Sequence, residues 1–275
     1  MRRFIVFFTC LLTVTAASLP AASASVLDQR NDFQLTYGIY GGGFQALNID
    51  IDFEFDKTHY KADMRAKPFG VLGHLLPWAG HYMTSGTVKK GVLTPSEHDR
   101  ISAWRDDQSH LTMTYKNGVL TELKEIEDEK GKPVSEIVPV PKDMHENTID
   151  LVTSVLDMLV KTSDKNNCTY AQEVYDGRRR FRMTFKDEGV TTIAPSAVNI
   201  FSGEAHLCRM ELIPLKGFTG KPRGYYRIQE DARKKGELPV VWLGRAWASG
   251  PMVPVRMMVK SDYGTVLMHL KAVKR

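Results

Sequence analysis

The sequence predicts a mainly β protein: a curled antiparallel sheet, an open barrel or β-spiral, with one central amphipathic helix and a short apolar plug segment. Three observations carry this expectation. From Phe44 to Phe55, Leu47, Ile49, Ile51, Phe53 and Phe55 interleave with Asn48, Asp50, Asp52 and Glu54, the period-two pattern of a half-buried strand. Asn117-Gly118 and Asp176-Gly177 each sit between strand-like runs, and an αL-tolerant residue followed by glycine suits a tight antiparallel turn. Helical spacing is clear in one stretch only, Thr148 to Lys161, where Val152, Val155, Leu156 and Leu159 recur.

The first 24 residues read as an export address. Arg2 and Arg3 precede an apolar run from Phe4 to Ala17, followed by Ser18, Pro20 and the small residues Ala22-Ser23-Ala24, the three-part pattern of a cleavable signal peptide. The run is shorter than the about 20 apolar residues a spanning helix needs, so cleavage before Ser25 and release into the periplasm are expected. Cys10 lies inside the run rather than closing it after small residues, which argues against a lipid-attachment cysteine. Residues 25–275 are then expected to form a single β-rich domain, since 251 residues bury a core comfortably. Losing Arg2 and Arg3 leaves 35 basic against 32 acidic groups, too mild an excess to imply nucleic acid. No later segment is long and apolar enough to span a membrane.

Along the mature chain, Gly41-Gly42-Gly43 reads as a turn or bulge between Tyr37–Tyr40 and the long strand, because it lacks the strand-to-helix setting of phosphate-binding glycines. Asp50 and Asp52 are the wet face of their strand rather than a catalytic pair. Alternation returns in Tyr60, Ala62, Met64 and Ala66 and then breaks into a dense apolar run. Phe69, Leu72, Leu75, Leu76 and Trp78 are the candidate plug of an apolar hollow, or a lid over a ligand. The two hairpins run from Leu111 to Leu123 and from Tyr170 to Phe185. In the second, Arg178, Arg180 and Arg182 share a face that reads as a solvated strand face, the alternative being a patch for anionic lipid or polysaccharide. Residues 125–146, acidic and proline-containing, are expected to link an N-terminal half to a C-terminal half that begins with the helix, for which Asn147 is the candidate N-cap. A last pair of strands, about Pro254 to Lys260 and Thr265 to Val273, turns through Ser261-Asp262-Tyr263-Gly264, making about a dozen strands in all.

Cys168 and Cys208 survive signal cleavage, and in an oxidising compartment an isolated pair is expected to form a disulfide. A redox role has neither Cys-x-x-Cys spacing nor a thioredoxin-like pattern to support it. No nucleophile elbow, phosphate loop or metal-ligand spacing is present. His74 and His81 flank Trp78 without a shared helical face, and His206 stands alone near Cys208. No catalytic residues, metal or cofactor are expected. The tryptophans, Trp78, Trp104, Trp242 and Trp247, are core anchors or pocket rims.

Several segments, in this order, resemble a known family: Tyr37 to Gly43, Leu75-Leu76-Pro77-Trp78, the helix, Tyr175-Asp176-Gly177-Arg178-Arg179-Arg180, Cys208, and Val253-Pro254-Val255-Arg256. Together they resemble the proteobacterial periplasmic domain-of-unknown-function family 3108 over nearly all of the mature chain. That family is similar in architecture to periplasmic β-spiral proteins that support envelope integrity in alphaproteobacteria, and more distantly to lipoprotein carriers with a sheet curved round an apolar cavity. The resemblance implies a non-enzymatic role in maintaining the cell envelope, as a binding or scaffold protein working through envelope proteins. The alternative is a periplasmic carrier of a lipid or other amphipathic ligand, held near Phe69 to Trp78 with the helix against it. An envelope enzyme with an undeclared site is the least favoured reading.

Overall fold

The computed structural model describes residues 25–75, 77–129, 132–219, 225–262 and 264–275; the expected signal peptide and Leu76 lie outside them. Strict alternation becomes a strand wherever one face can be buried, and among the described residues it produces fourteen antiparallel strands in one sheet. The first seven are β1 (Asn31–Gly41), β2 (Phe44–Phe55), β3 (His59–Pro68), β4 (Trp78–Lys89), β5 (Val92–Trp104), β6 (Asp107–Lys116) and β7 (Val119–Glu129). They are followed by β8 (Lys132–Ile137), β9 (Tyr170–Tyr175), β10 (Arg180–Ile193), β11 (Gly203–Lys216), β12 (Val240–Arg245), β13 (Met252–Ser261) and β14 (Gly264–Lys274). Their order in the sheet is β8-β7-β6-β5-β4-β3-β2-β1-β14-β13-β12-β11-β10-β9. The first and last strands therefore pair in the middle, and two meandering arms run outward to edges β8 and β9.

The sheet curls without closing. The tip of the β9–β10 hairpin reaches the far arm, where Arg178 Nη2 meets Glu125 Oε1 at 2.5 Å and Glu127 Oε1 at 2.9 Å. Tyr175 joins Leu111, Met113, Tyr115, Leu120 and Leu123 in a second, smaller core. The Asn117-Gly118 turn has both residues at positive φ (53° and 77°), which matches the twist of the flanking strands. On β2 the expected division of faces holds: Phe53 and Phe55 are buried, while Asp50 and Asp52 accept hydrogen bonds from Thr36 (2.7 Å) and Gln34 (2.8 Å) on the other face.

Among the described residues four α-helices accompany the sheet: α1 (Gly70–Leu75), α2 (Lys142–His145), α3 (Leu151–Lys165) and α4 (Tyr225–Lys235). Helix α3 fills the curl, touching β3, β4, β5, β9 and β13, and ten of its fifteen residues are buried. Both ends are pinned. At the C-terminal end Ser163 Oγ accepts from Met252 N (2.7 Å) and Asp164 accepts from Ser25 Oγ (2.6 Å) and Val26 N (2.9 Å).

Three sequence expectations are corrected. The helix begins at Leu151 with Asp150, not Asn147, as its N-cap, because Ile149 is held extended by backbone hydrogen bonds to β9 (Ile149 N to Glu173 O, Tyr175 N to Ile149 O) and Asn147 takes a left-handed φ of 58°. Residues 125–146 are not a bare linker: they contain the end of β7, all of β8, and α2. Phe69, Leu75 and Trp78 do not plug the core, since Phe69 and Leu75 are 45% and 69% exposed and Trp78 is half-buried, its Nε1 donating to Ser102 Oγ at 3.1 Å; the Leu72 side chain and Leu76 lie outside what the structure describes. Helix α1 packs on β2 and β3 at the end of the sheet, leaving α3 to fill the interior.

Candidate functional site

The concave face carries a partly open cavity of about 500 Å³ between α3 and the C-terminal arm. Its position follows from strand periodicity. Phe181, Met183 and Phe185 of β10, Met210 and Leu212 of β11, Val241 of β12, Met257 of β13 and Met268 of β14 all take the inward phase of their strands, and Leu151, Val155 and Met158 of α3 form the facing wall. Five methionines line it, flexible and polarisable side chains that adapt to varied apolar shapes. The sequence places the helix against a cavity near Phe69 to Trp78, whereas the cavity it lines is walled by the C-terminal arm. Phe69, Leu75 and Trp78 are not among its lining residues; the cavity lies on the opposite arm.

One wall is polar. Tyr82, His98 and Arg100, on β4 and β5, and Asp176, in the β9–β10 turn, also line the cavity. Behind His98 lies a buried cluster. Asp150, fully buried, caps α3 by accepting from Thr153 N at 2.8 Å, accepts from Thr84 Oγ1 at 3.2 Å, and sits 3.1 Å from His98 Nδ1, although that nitrogen is not aligned for a hydrogen bond. Tyr60 closes the cluster through Thr153 Oγ1 at 2.9 Å. Burial pushes the Asp150 carboxyl up, but the His98 ring and the hydrogen bonds from Thr153 outweigh it, so its pKa lies below the ordinary carboxylate value. Burial raises the Tyr82 hydroxyl, with Arg100 opposing.

At the hairpin tip, Asp176 accepts from Arg178 N (2.9 Å), Arg179 N (2.6 Å) and Tyr226 Oη (3.0 Å), and Arg179 stacks 4.5 Å over the Tyr226 ring. Helix α4 is thereby fastened beside the cavity. The other arginines of the row are paired: Arg180 and Arg182 both bind Glu173, at 2.5 and 2.7 Å, so the row is a neutralised strand face.

The disulfide joins Cys168 to Cys208, with 6.1 Å between Cα atoms, tying the start of the edge strand β9 to β11 across β10. His206 bonds Asp187 (2.7 Å) and His81 bonds Asp63 (2.9 Å); among the described residues no three His, Cys, Asp or Glu side chains gather as a metal site. No helix among them is long and apolar enough to cross a membrane.

Sequence singles out neither His98 nor Arg100, and Asp176 only as a turn residue. A signal existed for the first two: their register partners on β6 are Met113 and Leu111, so the polar residues of β5 occupy the buried phase of a hairpin whose other strand is apolar there.

Fold and site define a class, an open antiparallel β-spiral wrapped round a helix and an apolar cavity. The chain belongs to the family described as Protein of unknown function (DUF3108), whose profile matches residues 32–271. No curated protein matches it. Among solved structures it is similar to the crystal structure of a beta-barrel-like protein of domain of unknown function DUF1849 from Brucella abortus, at 9% identity, with 88% of this chain and 97% of that chain covered and a TM-score of 0.43.

Proposed function

We propose that this is a non-enzymatic periplasmic protein that binds an apolar or amphipathic ligand in the cavity between α3 and the C-terminal arm, in the service of the cell envelope. The observation that carries the reading is the cavity itself. Its volume of about 500 Å³ falls within the about 300–1,000 Å³ of small-molecule sites, and its wall is methionine, phenylalanine and aliphatic on all sides but one. Each ligand methylene buried there contributes about 0.8 kcal/mol, so a single chain suffices for useful affinity. The leader-like N-terminus and the Cys168–Cys208 disulfide support an oxidising compartment.

The His98–Asp150 pair is the kind of arrangement an acid–base enzyme uses. It is read as structural because Asp150 caps α3 and also serves Thr84, and neither neighbouring threonine hydroxyl is bonded to the imidazole. A second reading, an envelope scaffold acting through protein partners, is favoured by one feature: Phe44, Phe69, Val71, Leu75 and Trp104 are exposed and the strand register gathers them at one end of the sheet.

The test is titration with 1-N-phenylnaphthylamine, a neutral apolar fluorophore, together with native mass spectrometry of gently purified protein. Saturable binding that is lost in Val155→Trp and Met183→Trp supports a ligand protein. No binding by wild type and no co-purifying lipid would overturn that reading and leave the scaffold.

A further inference from the structure

The polar wall of the cavity holds an under-used guanidinium. Arg100 is largely buried, its side chain 19% exposed, yet of its five N–H donors one makes a hydrogen bond among the described residues, from Nη1 to the Asp176 carbonyl at 3.4 Å. Its Nε is buried with no partner. The nearest carboxylate oxygen, Glu125 Oε1, is 3.9 Å from Nη2 and is already bonded to Arg178 at 2.5 Å. Glu127 also serves Arg178 (2.9 Å), and the Asp176 carboxylate is taken by three donors. The acidic groups around Arg100 are thus committed elsewhere, and a buried cation with idle donors is costly unless something else satisfies it.

Two further groups face the same space. His98, 4% exposed at its side chain, turns Nδ1 toward Asp150, and its Nε2 has no hydrogen-bond partner among the described residues. The Tyr82 hydroxyl has none either. All three side chains line the cavity, and β4 and β5 hold them side by side because Tyr82 and Arg100 are register partners.

We propose that the ligand is an amphipathic acid, whose anionic oxygens are held by Arg100 with the Tyr82 hydroxyl while its chain lies among the methionines and phenylalanines of the C-terminal arm. This rests on the cavity being a ligand site and adds the chemistry of the head group. A planar guanidinium fork matches two oxygens of a carboxylate or phosphate at once, and the recruited donors are ones that no protein group uses.

Displacement of bound 1-N-phenylnaphthylamine by dodecanoate, monododecyl phosphate and dodecanol tests it. In wild type the preferred anion should displace the probe at about ten- to a hundredfold lower concentration than the alcohol, the gain expected of charge-assisted hydrogen bonds. The stronger of the two anions identifies the head as carboxylate or phosphate. Arg100→Met should abolish the preference, read as the ratio of displacing concentrations of anion and alcohol, a ratio that any change in probe affinity leaves untouched. Equal displacement by alcohol and both anions in wild type, or a preference that survives Arg100→Met, would overturn the proposal and leave the apolar cavity standing. Failure of the neutral probe to bind at all would instead remove the cavity reading. Should Arg100→Met not fold, carboxyl-labelled dodecanoate on wild-type protein decides by NMR: a bound carboxyl that titrates below the free acid supports the guanidinium contact, and one titrating at or above it refutes it.

Discussion

Replacing Asp150 should be among the most damaging single changes available outside the apolar core. Its carboxylate does three things at once. It caps α3 through Thr153 N, accepts from Thr84, and faces the His98 ring, all at a fully buried position. Loss of the cap alone costs about 1 kcal/mol. Thr84 keeps Glu97 O (3.1 Å) and Thr153 Oγ1 (3.0 Å) as partners, so the rest of the cost falls on His98, and breaking a buried pair from one side costs about 3–5 kcal/mol in general. Asp150→Ala is therefore expected to lose about 4 kcal/mol. Asp150→Asn keeps an equally good N-cap and an acceptor for Thr84, losing only the charge opposite His98, so about 2 kcal/mol is expected. Urea unfolding of the disulfide-intact protein, followed by tryptophan fluorescence and circular dichroism, measures both. A loss below about 1 kcal/mol in the alanine variant would mean that the cluster is no more than a helix cap, and an asparagine variant as stable as wild type would show that the charge facing His98 contributes nothing.

Because Asp150 and Asp187 both have lowered pKa values in the fold, the unfolded chain binds protons more readily. Their stabilisation is then fully present above the unfolded value of about 3.9 and is lost as the pH falls through the folded values. His269, whose pKa burial lowers, gives a shallow decline of the urea midpoint below about pH 6.5, and a steeper drop should follow below about pH 4, less steep in Asp150→Asn; a midpoint unchanged down to pH 3 refutes this. Replacing Cys168 and Cys208 together by alanine should cost up to about 4 kcal/mol, the chain entropy released by opening the loop, and the same linkage should appear in non-reducing peptide maps. Gly177 has φ 93° and an added Cβ would lie 2.5 Å from Leu111 Cδ1, so Gly177→Ala should lose about 2 kcal/mol or more. Leu111→Ala empties a buried core position and is destabilising on its own, but in its background the added loss from Gly177→Ala should be smaller, because the clash disappears. Intact-mass measurement of exported protein should find Ser25 or a near neighbour at the N-terminus.

What could be read from sequence was decided by how local the cause is. The strand Phe44–Phe55 was legible because one face packs on the core and the other meets water, so its alternation is undiluted. The turns at Asn117-Gly118 and Asp176-Gly177 were legible because backbone geometry chooses their residues. The cysteine pairing followed from there being no other partner. By contrast, β7 continues through Glu125 and Glu127, which looked like a charged linker; their partner Arg178 lies 53 and 51 residues away and only the curl brings it near. Helix α4 has little apolar periodicity, with buried Gln229 and Ala232, but its Arg227–Asp231 and Glu230–Lys234 pairs at i,i+4 were a usable signal. The cavity has no sequence signature at all, since its methionines come from α3 and four separate strands.

The topology bears on how such a cavity could admit a ligand. Because β1 pairs with β14 at the centre, every ladder hydrogen bond lies either within an arm or at that central seam. The far ends of the arms are joined covalently only through the segment carrying α2 and α3. Where they approach, the contacts are side chains: Arg178 with Glu125 and Glu127, Tyr175 in the small β6–β7 core, and Gly177 against Leu111. Separating the arms there would break a few exposed ion pairs, worth about 0–1 kcal/mol each, and one small apolar contact, without unzipping any strand. Edge strand β9 keeps its backbone paired to Ile149 throughout, so such a motion exposes no new edge for aggregation. The polar wall straddles this meeting point, with His98 and Arg100 on one arm and Asp176 at the tip of the other. An anion held by Arg100 would therefore sit beside the junction, and its departure would be coupled to the ion pairs that hold the arms together. Raising ionic strength should weaken those pairs and speed ligand release more than it weakens a neutral probe's affinity. Stopped-flow release of bound dodecanoate at low and high salt, compared with 1-N-phenylnaphthylamine, measures this; equal salt dependence for the two would show that the junction plays no part in release.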